Sequence, residues 1–127
     1  MNEPIWVMKS VVLAIHAEQL AEHGGESGLR DDALLESALT RPLNIYAYGA
    51  HDSFDLAAAY ACGIMQNHPF IDGNKRTAFV TSHLFLYLNN LTFVASREEK
   101  VTVFLKLASN QLNEHKLALW FKNNHNH

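Results

Sequence analysis

Apolar positions recur at helical spacing through most of the chain, and few stretches alternate as a strand would. In IWVMKSVVLAIHAEQLAEHGG, Ile5, Met8, Val12, Ile15 and Leu20 fall near one face, and Gly24-Gly25 supplies a C-terminal stop. RDDALLESALTRP opens with acids, carries Leu34, Leu35, Ala38 and Leu39 on one side and meets Pro42, where a shorter helix is expected to end. In the following RPLNIYAYGAH no helical stripe is evident. Tyr46 and Tyr48 alternate, so a loop or small hairpin is expected. DSFDLAAAYACGIMQN resumes the helical pattern, with Asp52 or Ser53 as N-cap and Phe54, Ala57, Ala58, Ala61 and Met65 at helical spacing. RTAFVTSHLFLYLNN is apolar almost all round, the pattern of a helix enclosed by others. SREEKVTVFLKLASNQL begins with the capping-box spacing of Ser96 to Glu99, and NEHKLALWFKNN follows as a last amphipathic helix. With no strand series and no internal repeat, the expected fold is mainly α: a compact helical bundle around a buried central helix at residues 77 to 88.

Composition narrows this picture without changing it. The 127 residues suit one domain spanning 1–127, and 48% hydrophobic with 18% charged residues is the balance of a globular protein with a sizeable core. The formal net charge of −3 provides no global field to hold a long nucleic acid, so direct nucleic-acid binding is not expected and any phosphate recognition should be local. The single cysteine, Cys62, lies in an apolar run and suits a reducing compartment as a small core residue. No apolar run is long enough to cross a membrane, and MNEPIWVMK lacks a signal-peptide pattern, so a cytoplasmic protein is expected.

The chemistry concentrates in HPFIDGNKR, residues 68 to 76, between two helical stretches. Pro69 biases His68 out of the helical region, so the preceding helix should end near Asn67 and present the imidazole on a turn. Phe70 can anchor the loop in the core, and Gly73 allows positive φ or a close backbone approach. A helix starting near Asn74 offers free N–H groups and the positive end of its dipole to an anion, reinforced by Lys75 and Arg76. Asp72 beside phosphate implies a divalent cation between them, and Mg²⁺ held by one carboxylate, phosphate oxygens and water fits. A base, a metal carboxylate and a phosphate nest are what phosphoryl or nucleotidyl transfer requires. Plainer roles exist for the same residues: an Asx-turn or N-cap for Asp72 and Asn74, and solvated charge for Lys75 and Arg76, although cations in a first helical turn call for a compensating anion. His16 and His83 read as core or groove histidines, and His23, His51, His115, His125 and His127 as surface residues, with no zinc-like spacing among them.

This loop resembles the signature of the Fic/Doc superfamily, through His68, Phe70, Asp72, Gly73, Asn74 and Arg76. GLRDDALLESALTRP and the chain length resemble its Doc, or death-on-curing, branch of toxins from type II toxin–antitoxin systems. Two positions depart from the Fic nucleotidyltransferase pattern: Lys75 replaces a glycine, and Phe79 stands where a second arginine is usual. Both point toward Doc, while Gly73 follows the Fic pattern.

The resemblance implies a kinase-like transfer of a phosphoryl group from ATP to a protein hydroxyl, a threonine of elongation factor Tu, inhibiting translation. In that scheme His68 is the general base, Asp72 holds Mg²⁺, and Gly73, Asn74, Lys75 and Arg76 bind the nucleotide phosphates. Loss of a phosphate anchor at Phe79 favours presentation of the terminal phosphate to His68. The resemblance also implies a small antitoxin whose helix-forming tail docks in an apolar groove. The alternatives are Fic-type AMP transfer to a protein hydroxyl and a non-catalytic partner-binding module.

Overall fold

Helix α1, Lys9–His23, turns Val12, Ile15 and His16 inward, while Ile5 and Met8 precede it and are exposed. Its end is as expected, with the Gly24 N–H donating to the Leu20 carbonyl at 2.7 Å. These features come from a computed structural model that describes residues 3–49 and 51–126, leaving His127 outside the described residues.

Helix α2, Asp32–Tyr48, is capped by Asp31, whose carboxylate accepts from the Leu34 N–H at 3.1 Å. It runs straight through Pro42, so neither the expected stop nor the extended segment after it forms. The reason lies in the packing. Leu35, Ala38, Leu39 and Pro42 are buried and Ile45 and Tyr46 pack against the core, so the inward stripe continues at helical spacing if proline is counted as an apolar side chain. Proline at 42 leaves the Ala38 carbonyl without its usual i+4 donor. That carbonyl lies against Gly63 of the next helix, where a Cβ would approach it to 3.0 Å. Any side chain at 63 would push the two helices apart by a few tenths of an ångström. Tyr46 reaches the core through an edge-on contact with Trp6 at 5.5 Å between ring centroids, and Tyr48 points to solvent.

Helix α3, Ser53–Asn67, starts with a reciprocal capping box between Asp52 and Asp55. Every residue from Leu56 to Ile64 is buried, and the helix contacts α2, α4, α5 and α6. The innermost helix is therefore α3, not the one at residues 77 to 88. Its alanines make a thin rod that neighbours can surround. Helix α4, Asn74–Leu88, buries Thr77, Ala78, Thr81, Ser82, Phe85 and Leu86, but leaves Phe79, His83 and Leu84 partly exposed and Tyr87 exposed.

The remaining elements close the bundle. Strand β1, Thr92–Phe93, pairs antiparallel with β2, His125–Asn126. Helix α5, Arg97–Ala108, is capped by Ser96, and α6, Glu114–Asn123, by Asn113. Phe93, Phe104, Leu117 and Phe121 join the core built on α3 and α4. Among the described residues no helix is long and apolar enough to cross a membrane.

Candidate functional site

The loop between α3 and α4 is held from three directions. Its first residue, His68, caps α3 in the left-handed region at φ 51° and ψ 55°, outside the right-handed helical region that Pro69 disfavours. The Arg30 guanidinium caps the same helix end, donating from Nε to the His68 carbonyl at 2.7 Å and from Nη2 to the Asn67 carbonyl at 2.8 Å. A cation at a helix C-terminus also complements its dipole. The backbone around Arg30 pairs with the loop: the N–H groups of Arg30 and Asp31 donate to the Pro69 carbonyl, and the Ile71 N–H donates to the Gly28 carbonyl. The third direction is α1. Phe70 is buried as its anchor role requires and stacks on the His16 ring, 3.8 Å between centroids and 9° between planes. His16 donates from Nε2 to the Asp72 carbonyl at 2.8 Å.

Asn74 wires the interior of the loop. Its Oδ1 accepts from the Phe70 N–H at 3.0 Å, and its Nδ2 donates to the Phe70 carbonyl at 2.9 Å. This pair fixes which way the amide points, because a flipped amide would set donor against donor and acceptor against acceptor. The remaining Nδ2 hydrogen therefore donates to His68 Nδ1 at 3.0 Å. Neutral His68 consequently carries its proton on Nε2. The side chain of Asn74 is buried with both donors engaged, so what it offers a phosphate is its backbone N–H.

Asp72 and Gly73 complete the turn into α4. The Asp72 carboxylate accepts from the Gly73 N–H at 2.8 Å and the Glu26 N–H at 3.2 Å while remaining exposed. Gly73 is the N-cap at φ 81°, and a side chain there would press on Leu20 and His16. The cap supplies no side-chain acceptor. Thr77 is the first residue of α4 whose N–H bonds back, to the Gly73 carbonyl, leaving the N–H groups of Asn74, Lys75 and Arg76 without acceptors among the described residues. These groups, with the charges of Lys75 and Arg76, form an anion site. His68, Asp72, Gly73, Asn74, Lys75 and Arg76 line one pocket of about 300 Å³ with Met65, Ile71 and Ala108.

No group of three metal-ligating side chains occurs among the described residues, so a cation here would rest on Asp72 and on ligand oxygens. His23 and His51 lie at the surface beside Glu22 and Asp55.

Position 79 has a cationic neighbour. Lys100 of α5 places its Nζ 5.6 Å from the centroid of the Phe79 ring. A positive charge from another helix therefore lies beside this position. Arg30 and Lys100 were not singled out from the sequence, whereas His16, read there as a core or groove histidine, is buried. Arg30 sits within the GLRDDALLESALTRP stretch and His16 on the inward face of α1. Nothing in the local pattern of α5 marks Lys100.

The Fic/DOC family model matches residues 6–86. A protein named Toxin Doc from Mycolicibacterium smegmatis is 39% identical over 74 residues, 57% of each chain. A protein named Protein kinase doc from Escherichia phage P1 is 32% identical over 88 residues, 68% of this chain and 70% of the phage protein. The chain thus spans little more than half the length of the mycobacterial relative. The matched residues contain α1 to α3, the whole loop and α4 as far as Leu86, and end before α5.

Proposed function

Because the chain belongs to the Fic/DOC family, we propose that it is a Doc-like toxin transferring a phosphoryl group from ATP to a protein hydroxyl, with a threonine of elongation factor Tu as target and arrest of translation as result. The observation carrying this reading is the convergence of His68, Asp72 and the open N-terminus of α4 on one pocket. The name of the phage relative supports kinase chemistry over other transfers.

In this mechanism the N–H groups of Asn74, Lys75 and Arg76 receive the phosphate to be transferred, and the two cationic side chains neutralise charge that develops on it. Asp72 suits Mg²⁺, being an exposed carboxylate in the same pocket, and the ion, when bound, supplies charge neutralisation between neighbouring phosphates. His68 accepts the hydroxyl proton at Nε2, the ring nitrogen not covered by Asn74. That nitrogen needs a free lone pair, so the imidazole must move its proton to Nδ1 and Asn74 must release Nδ1 in the reactive complex. Proton acceptance is therefore coupled to a local rearrangement of the loop. The activity calls for a small antitoxin with a helix-forming tail and for work in the cytoplasm.

Transfer of AMP is the second reading, favoured by one observation, the Lys100 cation above Phe79 that a triphosphate bound in the other sense could use. The test incubates the purified chain and Mg²⁺ with a bacterial lysate and ATP labelled either on the γ-phosphate or on adenine. Label from the γ-position on a protein supports the kinase reading, and label from adenine alone overturns it in favour of AMP transfer.

A further inference from the structure

Beyond the first turn of α4 a second groove opens, on the side that His68 does not line. It holds about 460 Å³ and shares Lys75 and Arg76 with the pocket described above. Phe79 and Phe104 line it, and Arg97 and Lys100 of α5 face it. Among the described residues none of these four cations forms an ion pair. The one carboxylate in the lining is Glu22, which lies 3.9 Å from His23.

This concentration of positive charge stands out on a chain whose net charge is −3. Lys100 is partly buried, its ammonium 5.6 Å from the Phe79 centroid and 5.8 Å from that of Phe93. Those rings position the charge without neutralising it. Arg97 occupies the first turn of α5, where a cation opposes the helix dipole. The acids of that turn do not compensate within the groove: neither Glu98 nor Glu99 lines it, and Glu99 accepts from the Trp120 indole at 2.7 Å. Like charges gathered from two helices, one of them partly desolvated, call for an anion that bridges them. A single phosphate at the N-terminus of α4 would leave Arg97 and Lys100 unanswered. A chain of linked phosphates answers both ends.

We propose that Arg97 and Lys100 form a second phosphate subsite, which binds the phosphates of a nucleoside triphosphate that lie away from His68. The proposal rests on the reading that nucleotide phosphate occupies the N-terminus of α4. Helix α5 lies outside residues 6–86, so this subsite belongs to the part of the chain beyond the family match.

Calorimetric titration with ATP in the presence of Mg²⁺ and with adenosine, which carries no phosphate, tests it on the full chain. Lys100→Met keeps the stem against the rings and removes the charge, and Arg97→Gln alters an exposed side chain. Thermal melts check that both variants fold. Each is expected to weaken ATP about tenfold, as loss of a charge-assisted contact should, and to leave adenosine within about twofold. Equal weakening of ATP and adenosine, or unchanged ATP affinity in both variants, overturns the subsite. Arg76→Ala separates this from the parent reading. If it abolishes ATP binding while Lys100→Met and Arg97→Gln bind normally, only the subsite falls. If the unaltered chain binds no ATP, both fall. Unchanged ATP affinity with weakened binding of a polyglutamate peptide would assign the groove to an acidic segment instead, and would also overturn the proposal.

Discussion

The loop from His68 to Asn74 and the groove from Lys75 to Lys100 meet at one helix terminus, yet they treat polar groups in opposite ways. In the loop, side-chain amide, imidazole, carboxylate and backbone satisfy one another: Asn74 binds both polar groups of Phe70 and one nitrogen of His68, and Asp72 takes two backbone N–H groups. In the groove, the first-turn N–H groups of α4 and the nearby cations have no such partners among the described residues. The loop is already organised without a ligand, whereas the groove holds charges that a ligand would complete. Substitutions in the loop should therefore affect stability or proton transfer, and substitutions in the groove should affect binding.

The largest effect is expected at His68. His68→Ala should lower the transfer rate by about 10²–10⁴-fold, the usual contribution of a general base. Its side chain is exposed and accounts for only one of the bonds to Asn74, so the melting temperature should move little. Near-full activity in a folded His68→Ala protein would remove His68 from the mechanism.

Asn74→Ala sharpens the contrast from the other side, since it should act first on folding. It orphans the Phe70 N–H and carbonyl beside a buried ring, and each orphaned group costs about 1–3 kcal/mol. Urea denaturation should show a loss of roughly 2–6 kcal/mol on that basis. The imidazole ¹⁵N shifts of the unaltered protein should also report the Nε2–H tautomer. An Nδ1–H tautomer there would contradict the wiring.

The loop was legible in the sequence because its determinants are local: proline after histidine, phenylalanine before the turn, glycine before the helix. What escaped the sequence is long-range. Pro42 looks like a stop when read locally, but it lies where α2 crosses Gly63 of α3, and that contact carries the helix onward. The apolar circumference of α4 suggested the central position, yet α3 holds it because its alanines allow neighbours on every side. Lys100 comes from a helix with an unremarkable charge pattern, and only the packing of α5 over Phe79 brings it to the groove.

A smaller effect should come from His83, which stacks near Phe79 at 5.8 Å between centroids. Burial, and secondarily the Lys100 charge, hold its imidazole below the ordinary value of 6.5. The unfolded chain takes up a proton near that value while the folded chain resists it, so the contribution is intact above it and declines as pH falls through it. Urea titrations at pH 7.5 and 5.5 should show His83→Gln losing less stability on acidification than the unaltered protein. An equal loss would mean that His83 is not held neutral by its surroundings.

The smallest effect concerns α4 one and two turns beyond its open end. Thr77 and Thr81 are fully buried, and the hydroxyl oxygen of each lacks a hydrogen-bond partner among the described residues. They share a missing partner with the groove cations, but they lie in the core, where no ligand in either pocket is lined by them. A buried hydroxyl without a partner contributes desolvation cost and no compensating bond. Thr81→Val keeps the branched shape and removes the polar atom, so it should leave stability unchanged or raise it by up to about 1 kcal/mol. ATP affinity should not move. The two readouts separate the kinds of unpartnered group on this helix: Lys100→Met should weaken ATP binding, whereas Thr81→Val should alter only the denaturation midpoint. If Thr81→Val destabilises the protein by more than about 1 kcal/mol, its hydroxyl has a partner in solution and the contrast between core and groove is drawn in the wrong place.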